Sequence, residues 1–407
     1  MRISLLTLGG DEVAAFDAEA SWTRQMICAH LPGDLARHQT RARLVFGGEE
    51  LRGEDTLGML GVAAGAWLQL VIQRPRCIAT ASRDHTARLW SAESGECLRT
   101  LRGHAGHVSS VVFSPDGGRV LTTSWDCSAM LWSVDSGECL HRFDGHGDRP
   151  VVIAMFSPDG ERVLTASSDG TMQLSCAETG SCFRRWRGHV GGIDAAAFSL
   201  DGLQVITAGQ DGLAKLWHGI SGDSLHILRG HDGRLLAAAF APCGGRVLTA
   251  STDATAKLWG ARDGFGALGG HCGAVSSMSL SPDGGQVDRT AKRWSGECGD
   301  SLCTLFGHTG AILAAAFSLD CERVVTTSVD RTARLWCAES GVCLCVLRGH
   351  CSHVLCAAFS ADCAHVLTAS WDGTAALWSA ASGERLRVLE GHRGAVTGVA
   401  FSPEGAF

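Results

Sequence analysis

A ring of small antiparallel β-sheets, preceded by a short domain of another type, is the fold that this 407-residue sequence predicts. Three observations carry that expectation. The dipeptide Gly-His recurs, ending at His104, His146, His189, His231, His271, His308, His350 and His392, in steps of 37 to 43 residues. Nine or ten residues after each of these histidines an apolar run ends, at Phe113, Phe156, Phe198, Phe240, Leu280, Phe317, Phe359 and Phe401. A turn such as SPDG, SLDG, APCG or SPEG then follows, in which proline fixes φ and glycine supplies φ > 0.

A copy continues with RVLTTS or RVLTAS, an aspartate, a TARLW-like run, a polar ESGE turn and CLRTLRGH. Four short runs separated by tight turns make a four-stranded antiparallel sheet. A sheet of about 40 residues cannot bury both faces alone, so copies must stack. Radial stacking into a propeller leaves only short, protected edges.

The array begins and ends out of phase. Residues 77–90, CIATASRDHTARLW, supply a second and third strand with no first, and residues 392–407, HRGAVTGVAFSPEGAF, supply a first strand and stop. Joining the two makes one whole blade and removes the open edges. The expected architecture is an all-β propeller of four-stranded antiparallel blades over 77–407, closed by the strand 395–401. Eight blades are expected with the sixth degenerate, and seven is the alternative. In the sixth copy, SPDGGQVDRTAKRW (281–294), Val287 runs directly into Asp288, so most of the second strand is missing. Three extended residues span about 10 Å, while a blade strand climbs about 17–20 Å. Asp288 is therefore expected not to bond His271.

These residues strongly resemble the WD-repeat (WD40) family over about 330 residues. The resemblance implies a hydrogen-bonded set in each blade: the Gly-His histidine, a Ser/Thr ending the second strand, the turn aspartate, and the tryptophan ending the third strand. In the second blade these are His104, Ser124, Asp126 and Trp132; in the fifth, His231, Ser251, Asp253 and Trp259. The seventh has His308, Ser328, Asp330 and Trp336, and the eighth His350, Ser370, Asp372 and Trp378. Ring closure would bring His392 to Ser82, Asp84 and Trp90. Three copies depart: the third has Ser175 for tryptophan, the fourth Gly209 for Ser/Thr, and the sixth lacks that place. A recurring His-Asp-Ser set suggests a hydrolase, but a catalytic triad does not occur many times in one chain.

Residues 1–73 lie outside the repeat. MRISLLTL, GGDE and VAAFDAE read as a hairpin, SWTRQMICAHL as a short helix with Ser21 at its N-cap, and RARLVFGGEEL and AWLQLVIQ as two further strands. The order β-β-α-β-β, with RLVFGGEELRGEDTLGMLGVAAGAWLQLVI, is similar to a small α+β ubiquitin-like β-grasp domain. That resemblance implies a partner-binding surface at Leu8, Val45, Gln69 and Val71, the alternative being ordinary half-buried strand residues. The last strand continues through QRPRC into the repeats, so conjugation through a free Gly-Gly end is not expected.

Net charge is −7 and no long basic run occurs, so a nucleic-acid surface has no compositional support. No apolar stretch approaches the about 20 residues that span a bilayer. The N-terminus turns acidic after one short apolar run and does not read as a secretory signal. The 18 cysteines include no C-x-x-C pair, and several recur in the repeat, such as Cys97, Cys139 and Cys343. They are expected to be reduced structural thiols in a cytoplasmic setting, the nucleus being the alternative. The nearest metal-like cluster is His350, Cys351, His353 and Cys356, but His350 already has a repeat role. No cofactor is expected.

By family geometry the residue before each turn aspartate lies on the top rim: Arg83, Trp125, Ser168, Gln210, Thr252, Val329 and Trp371. Tryptophan and arginine are enriched in binding hot spots. Ring closure makes the eighth, first and second blades neighbours, which predicts one contiguous patch of Trp371, His353, Arg83, Trp125 and His107. The bland alternative is a drifted turn whose tryptophan lies flat on its neighbour. The expected function is a non-catalytic protein-interaction scaffold that binds proteins or peptides, with the ubiquitin-like domain as a second docking surface. Its sharper form is an adaptor linking a client to ubiquitin receptors or the proteasome. The competing classes are an enzyme using the central channel and a repeat array with little specific binding. Against the enzyme, the sequence has no phosphate loop, nucleophile elbow or metal spacing.

Overall fold

The computed structural model describes residues 2–6, 12–29, 42–46, 49–51, 55–63, 65–72, 76–240, 246–253, 255–260, 265–268, 291–294 and 301–403. The chain divides into two compact units, the first containing Met1–Pro75 and the second Arg76–Pro403.

The first unit holds β1 (Arg2–Leu6), β2 (Glu12–Asp17), α1 (Arg24–Cys28), β3 (Ala42–Phe46), β4 (Glu49–Glu50) and β5 (Trp67–Ile72). Its sheet has the order β2-β1-β5-β3-β4. The first and last strands run parallel, with Leu5 opposite Leu68, and the remaining pairs are antiparallel. Alternation in β1 sends Ile3 and Leu5 inward, where they join Ile27 of α1, Leu44 and Leu68 in one core. Ser21 is not the helix cap. That position falls to Thr23, whose side chain makes no capping bond, while the Ser21 hydroxyl turns back to Glu19. Val45 is the cross-strand partner of Gln69, and Arg43 that of Val71; Leu8 lies outside the described residues.

The second unit begins with β6 (Cys77–Ser82), β7 (Thr86–Ser91) and β8 (Cys97–Arg102). Together with Val396–Phe401 they form one four-stranded sheet in which the last strand of the chain pairs with β6. The sequence anticipated this junction. Two side-chain bonds reinforce it: Cys77 N–H donates to the Ser402 hydroxyl at 2.9 Å, and Thr397 donates to the Val108 carbonyl of the second blade at 2.7 Å. Further four-stranded sheets span 108–143, 151–187, 193–228, 235–268, 312–348 and 354–389. Of the sixth copy the described residues hold one hairpin, Ala291–Trp294 with Ser301–Leu305. Its register, Ala291 opposite Leu305, reproduces that of Ala87 opposite Leu101 in the first blade. The expectation for Asp288 and His271 lies outside the described residues, as does the choice between eight blades and seven.

The core of this unit lies between sheets. Second strands such as Arg119–Ser124 are buried on both faces beyond the first residue, which is why VLTTS carries only aliphatic and small hydroxyl side chains and no charge. Val325, Leu335 and Leu347 of the seventh blade pack on Val354, Val366 and Trp378 of the eighth. In the same manner Leu305 packs on Val324 and Trp336 of the blade that follows it. Arginines at the start of second strands tie the bottom turns: Arg119 donates to the carbonyls of Ala177 at 3.1 Å and Gly160 at 3.2 Å, both on the third blade. The first strands of six sheets line a cavity of about 790 Å³, walled mostly by alanine, valine, phenylalanine, serine and proline, with Met155 and Leu319, from Val111 round to Pro403.

Truncation after residue 391 removes the strand that covers β6 and leaves its backbone groups unpaired. The shortened chain should self-associate in size-exclusion chromatography and lose its single melting transition. A monomer that melts like the full chain would contradict the closure described here.

Candidate functional site

In most of the described blades the register is set by a short relay of buried polar groups. In the second blade Trp132 Nε1–H donates to the Thr122 hydroxyl at 2.9 Å, and Thr122 lies 2.8 Å from His104 Nε2. His104 Nδ1 lies 2.9 Å from Asp126 Oδ2, which also accepts the Ala105 N–H at 2.9 Å. Indole only donates and carboxylate only accepts, so with the imidazole neutral the direction follows: Trp to Thr, Thr to His Nε2, His Nδ1–H to Asp. The histidine is neutral in this arrangement. Burial pushes its pKa below the usual imidazole range, more than Asp126 raises it. Burial alone would raise Asp126, but hydrogen bonds from Ser128, His104 and the Ala105 N–H outweigh it and lower the pKa to about 2.

One expected member is corrected. The hydroxyl that joins histidine to tryptophan is the mid-strand threonine two residues earlier, not Ser124, Ser328, Ser370 or Ser82. The same relay runs through Thr80 to His392 and Trp90, through Thr326 to His308 and Trp336, and through Thr368 to His350 and Trp378. The fifth blade uses Thr249 with His231 and Trp259. The serines instead fix the turn, each accepting the backbone N–H of the aspartate, at 3.1 Å for Ser124, Ser328, Ser370 and Ser82 alike. The reason is geometric. A strand end lies level with the turn, whereas the indole reaches the strand's middle.

Threonine also explains why the fourth blade keeps its relay despite Gly209. Thr207 joins His189 and Trp217 at 2.8 and 2.9 Å. A Cβ at Gly209 would lie 2.1 Å from His189 Nδ1, so the His189–Asp211 pair occupies the space the serine has elsewhere. The third blade does depart. His146 Nδ1 meets Thr171 at 2.7 Å, and Thr171 in turn bonds Asp169. Ser175 stands where the indole would be and accepts from Gln173 at 3.0 Å. Burial drives His146 to about 4, which the charge of Asp169 offsets only in part.

On the rim the structure brings the five predicted patch residues together. Trp125 and Trp371 are 57% and 47% exposed, so neither indole lies flat in a covered turn. The Arg83 guanidinium carbon lies 4.1 Å from the centroid of the Trp371 ring. His107 Nδ1 bonds the Arg83 carbonyl at 2.6 Å, and the His107 ring meets Trp125 edge-on at 5.7 Å. His353 lies against Trp371 at 6.4 Å. The Trp125 and Trp371 backbone N–H groups each bond the carbonyl of the first-strand histidine, His107 and His353, at 2.9 Å.

Sequence reasoning missed His85. It follows the turn aspartate, where the backbone is left-handed and three other copies carry Gly170, Gly212 and Gly373. His85 holds that conformation at φ 70° and packs edge-on against His107 at 5.2 Å. A non-glycine residue there costs of order 1 kcal/mol, and its place in the repeat was the available signal. In the metal-like cluster, His350 is engaged by Asp372 and Thr368, and burial pushes the Cys356 thiol up to about 12. Among the described residues no group of three or more His, Cys, Asp or Glu is placed to hold a metal ion.

Antiparallel four-stranded blades stacked around a cavity, most of those described stapled by one buried relay, define a β-propeller, and its exposed aromatic arc is a surface suited to contact. The WD domain, G-beta repeat family matches residues 95–133, 137–174, 180–218, 222–260, 299–337, 341–379 and 383–407, together more than half of the chain. The chain belongs to the WD40 repeat family. It is 42% identical over 64 residues to WD repeat-containing protein 37 of Homo sapiens, a match covering 16% of this chain and 13% of that protein. It is 49% identical over 45 residues to nuclear distribution protein PAC1 of Mycosarcoma maydis, covering 11% of this chain and 10% of that one. Among solved structures, the computationally designed Ika8 protein superposes with a TM-score of 0.65 at 28% identity, covering 75% of this chain and 95% of the designed one. The chain therefore spans about an eighth or less of the length of these curated relatives. WD repeat proteins generally act as protein-interaction scaffolds. Among the described residues no helix is long and apolar enough to cross a membrane.

Two measurements test the relay. Thr368→Val leaves the Trp378 N–H and one His350 nitrogen buried and unpaired, and should cost about 1–3 kcal/mol in urea unfolding. Ser370→Ala should cost less, about 0.5–1.5 kcal/mol; the reverse order would return the relay to the serine. The second concerns pH. His146 is held neutral when folded, with a pKa near 4, but titrates near 6.5 when unfolded. Protonation of the unfolded chain therefore drains stability as pH falls from about 6.5 toward 4. His146→Gln should flatten the slope of unfolding free energy in that window, and an unchanged slope would refute the assignment.

Proposed function

We propose that the protein is a non-catalytic adaptor whose propeller docks a protein or peptide on the arc formed by Trp371, His353, Arg83, His107 and Trp125. The observation that carries this reading is the exposure of two tryptophans on blades flanking an arginine stacked on one of them. Exposed large aromatics cost solubility, and buried in an interface they supply contact area at low entropic cost. The central cavity is walled by apolar, serine and proline side chains, which favours display of a surface over channel chemistry. Cytoplasmic residence, with the nucleus as the alternative, fits this role.

The first unit supplies a second docking surface on this reading. The parallel pairing of β1 with β5 and the helix between β2 and β3 support the ubiquitin-like β-grasp resemblance. Within it, Val45 is half-buried beside its strand partner Gln69. An adaptor that joins a client on the propeller to ubiquitin-receptor proteins on this unit is the sharper form of the proposal, with Leu8 and Val71 completing the second surface.

Affinity capture with the full chain tests both surfaces. Trp125→Ala with Trp371→Ala should remove the propeller's partners, since loss of one hot-spot residue weakens binding by about 30-fold or more. Val45→Arg should leave those partners in place and remove ubiquitin receptors. Retention of every partner by the tryptophan double variant would overturn the docking arc.

A further inference from the structure

We infer that the arc is a carboxylate-binding site, and that its occupant is a peptide segment bringing an aspartate or glutamate beside an aromatic or bulky apolar side chain. The inference rests on the docking reading and adds the chemistry of the partner. It starts from Arg83. One face of its guanidinium is covered by the Trp371 indole at 4.1 Å. Stacking of this kind occupies the π-face and leaves the planar edge, with its N–H donors, free to bind a carboxylate in two-point fashion. Among the described residues no carboxylate or carbonyl bonds that edge, although arginines elsewhere on the propeller are engaged. Arg162 pairs with Asp159 at 2.6 Å and Arg184 with Asp223 at 2.6 Å. Arg234 grips Asp194 with two nitrogens.

The carboxylates nearest in the fold are already used. Asp84, next to Arg83, accepts His392 Nδ1–H at 2.9 Å, the Arg393 N–H at 3.0 Å and the Thr86 hydroxyl at 2.6 Å. Asp126 and Asp372 are held in the same way by His104 and His350. The arc thus presents Arg83, with Arg393 on the same blade and His85, His107 and His353 around it; the turn acids Asp84, Asp126 and Asp372 are engaged within their blades, and Asp148 and Asp169 lie toward Cys127 on the Trp125 side. In a protein of net charge −7, Arg83 and Arg393 here stand beside turn acids that are already engaged. The flanking Trp125, edge-on to His107 and 57% exposed, is the platform for the apolar neighbour of the acid. Charge complementarity selects an acidic segment, and the stacked arginine selects a planar, two-oxygen group over a point charge.

The test is selection of a phage-displayed random 12-residue peptide library on the full chain and on three variants. Expected on the wild type is enrichment of peptides in which Asp or Glu adjoins an aromatic or large aliphatic residue, with synthetic copies competed by their carboxylate and not by their amide forms. Arg83→Gln should lose these peptides and weaken a synthetic copy at least tenfold. Arg83→Lys, which keeps charge but not the planar fork, should recover only part of the affinity. Peptides that depend on Trp125 and Trp371 but lack acids, or that bind Arg83→Gln equally well, would overturn the carboxylate site and leave the docking arc standing. Enrichment of phosphate-dependent binding alone, when synthetic copies are compared with their phosphoserine forms, would overturn it too. No peptide dependent on either tryptophan would overturn both. Circular dichroism of each variant, with an unchanged melting transition expected, separates loss of contact from loss of fold.

Discussion

Everything in the propeller unit depends on a hydroxyl at the middle of a strand that is buried on both faces. A threonine there is costly unless both its proton and its lone pairs are used. Indole and imidazole use them from opposite sides, one from the third strand and one from the segment that crosses in from the preceding blade. The relay therefore fixes three separate stretches of chain at once. It also removes the freedom of the second strand to slip, because a shift of one residue would turn the hydroxyl to the wrong face. The turn aspartate finishes the job by holding the histidine's other nitrogen. Its position then determines where the residue just before it emerges, and that residue forms the rim.

Much of this was legible in the amino-acid order because repetition averages away local noise. The strand pattern, the closing of the last strand onto Cys77–Ser82 and the meeting of Trp371, Arg83 and Trp125 all follow from counting within the repeat. The threonine was not found. Thr122 and Ser124 lie two residues apart on one strand, so both face the same side and alternation cannot separate them. Only the reach of the Trp132 indole decides, and that is a matter of distance. Gly209 misled for the same reason: its missing side chain removes a turn bond while leaving Thr207 in place. His85 escaped notice because a left-handed turn position is expected to hold glycine.

The two kinds of departure from the repeat have different physical weight. Ser175 for tryptophan in the third blade removes a large buried ring, and Gln173 and Arg185 fill in with polar bonds at 3.0 and 2.9 Å. Trp186 of that blade's outer strand packs against Trp217 of the next at 5.9 Å, so aromatic bulk is retained nearby. His85 and Cys127, by contrast, replace glycine at left-handed turns, with φ of 70° and 69°, on the two adjacent blades that carry Arg83 and Trp125. The first kind repairs the interior. The second changes only what the rim displays.

Closure of the ring by Val396–Phe401 has an outcome in time as well as in space. The Arg83 backbone N–H is bonded to the carbonyl of Ala395, which lies some three hundred residues later in the chain. During synthesis Arg83 leaves the ribosome long before Ala395, and Trp371 only shortly before it. Until the final strand docks, the first blade lacks its inner strand and the arginine has no fixed relation to the indole it will stack on. The arc is thus assembled only after the closing strand has been made and has docked. A partner that recognises it would be blind to chains in which that strand has not yet docked and would engage closed rings alone.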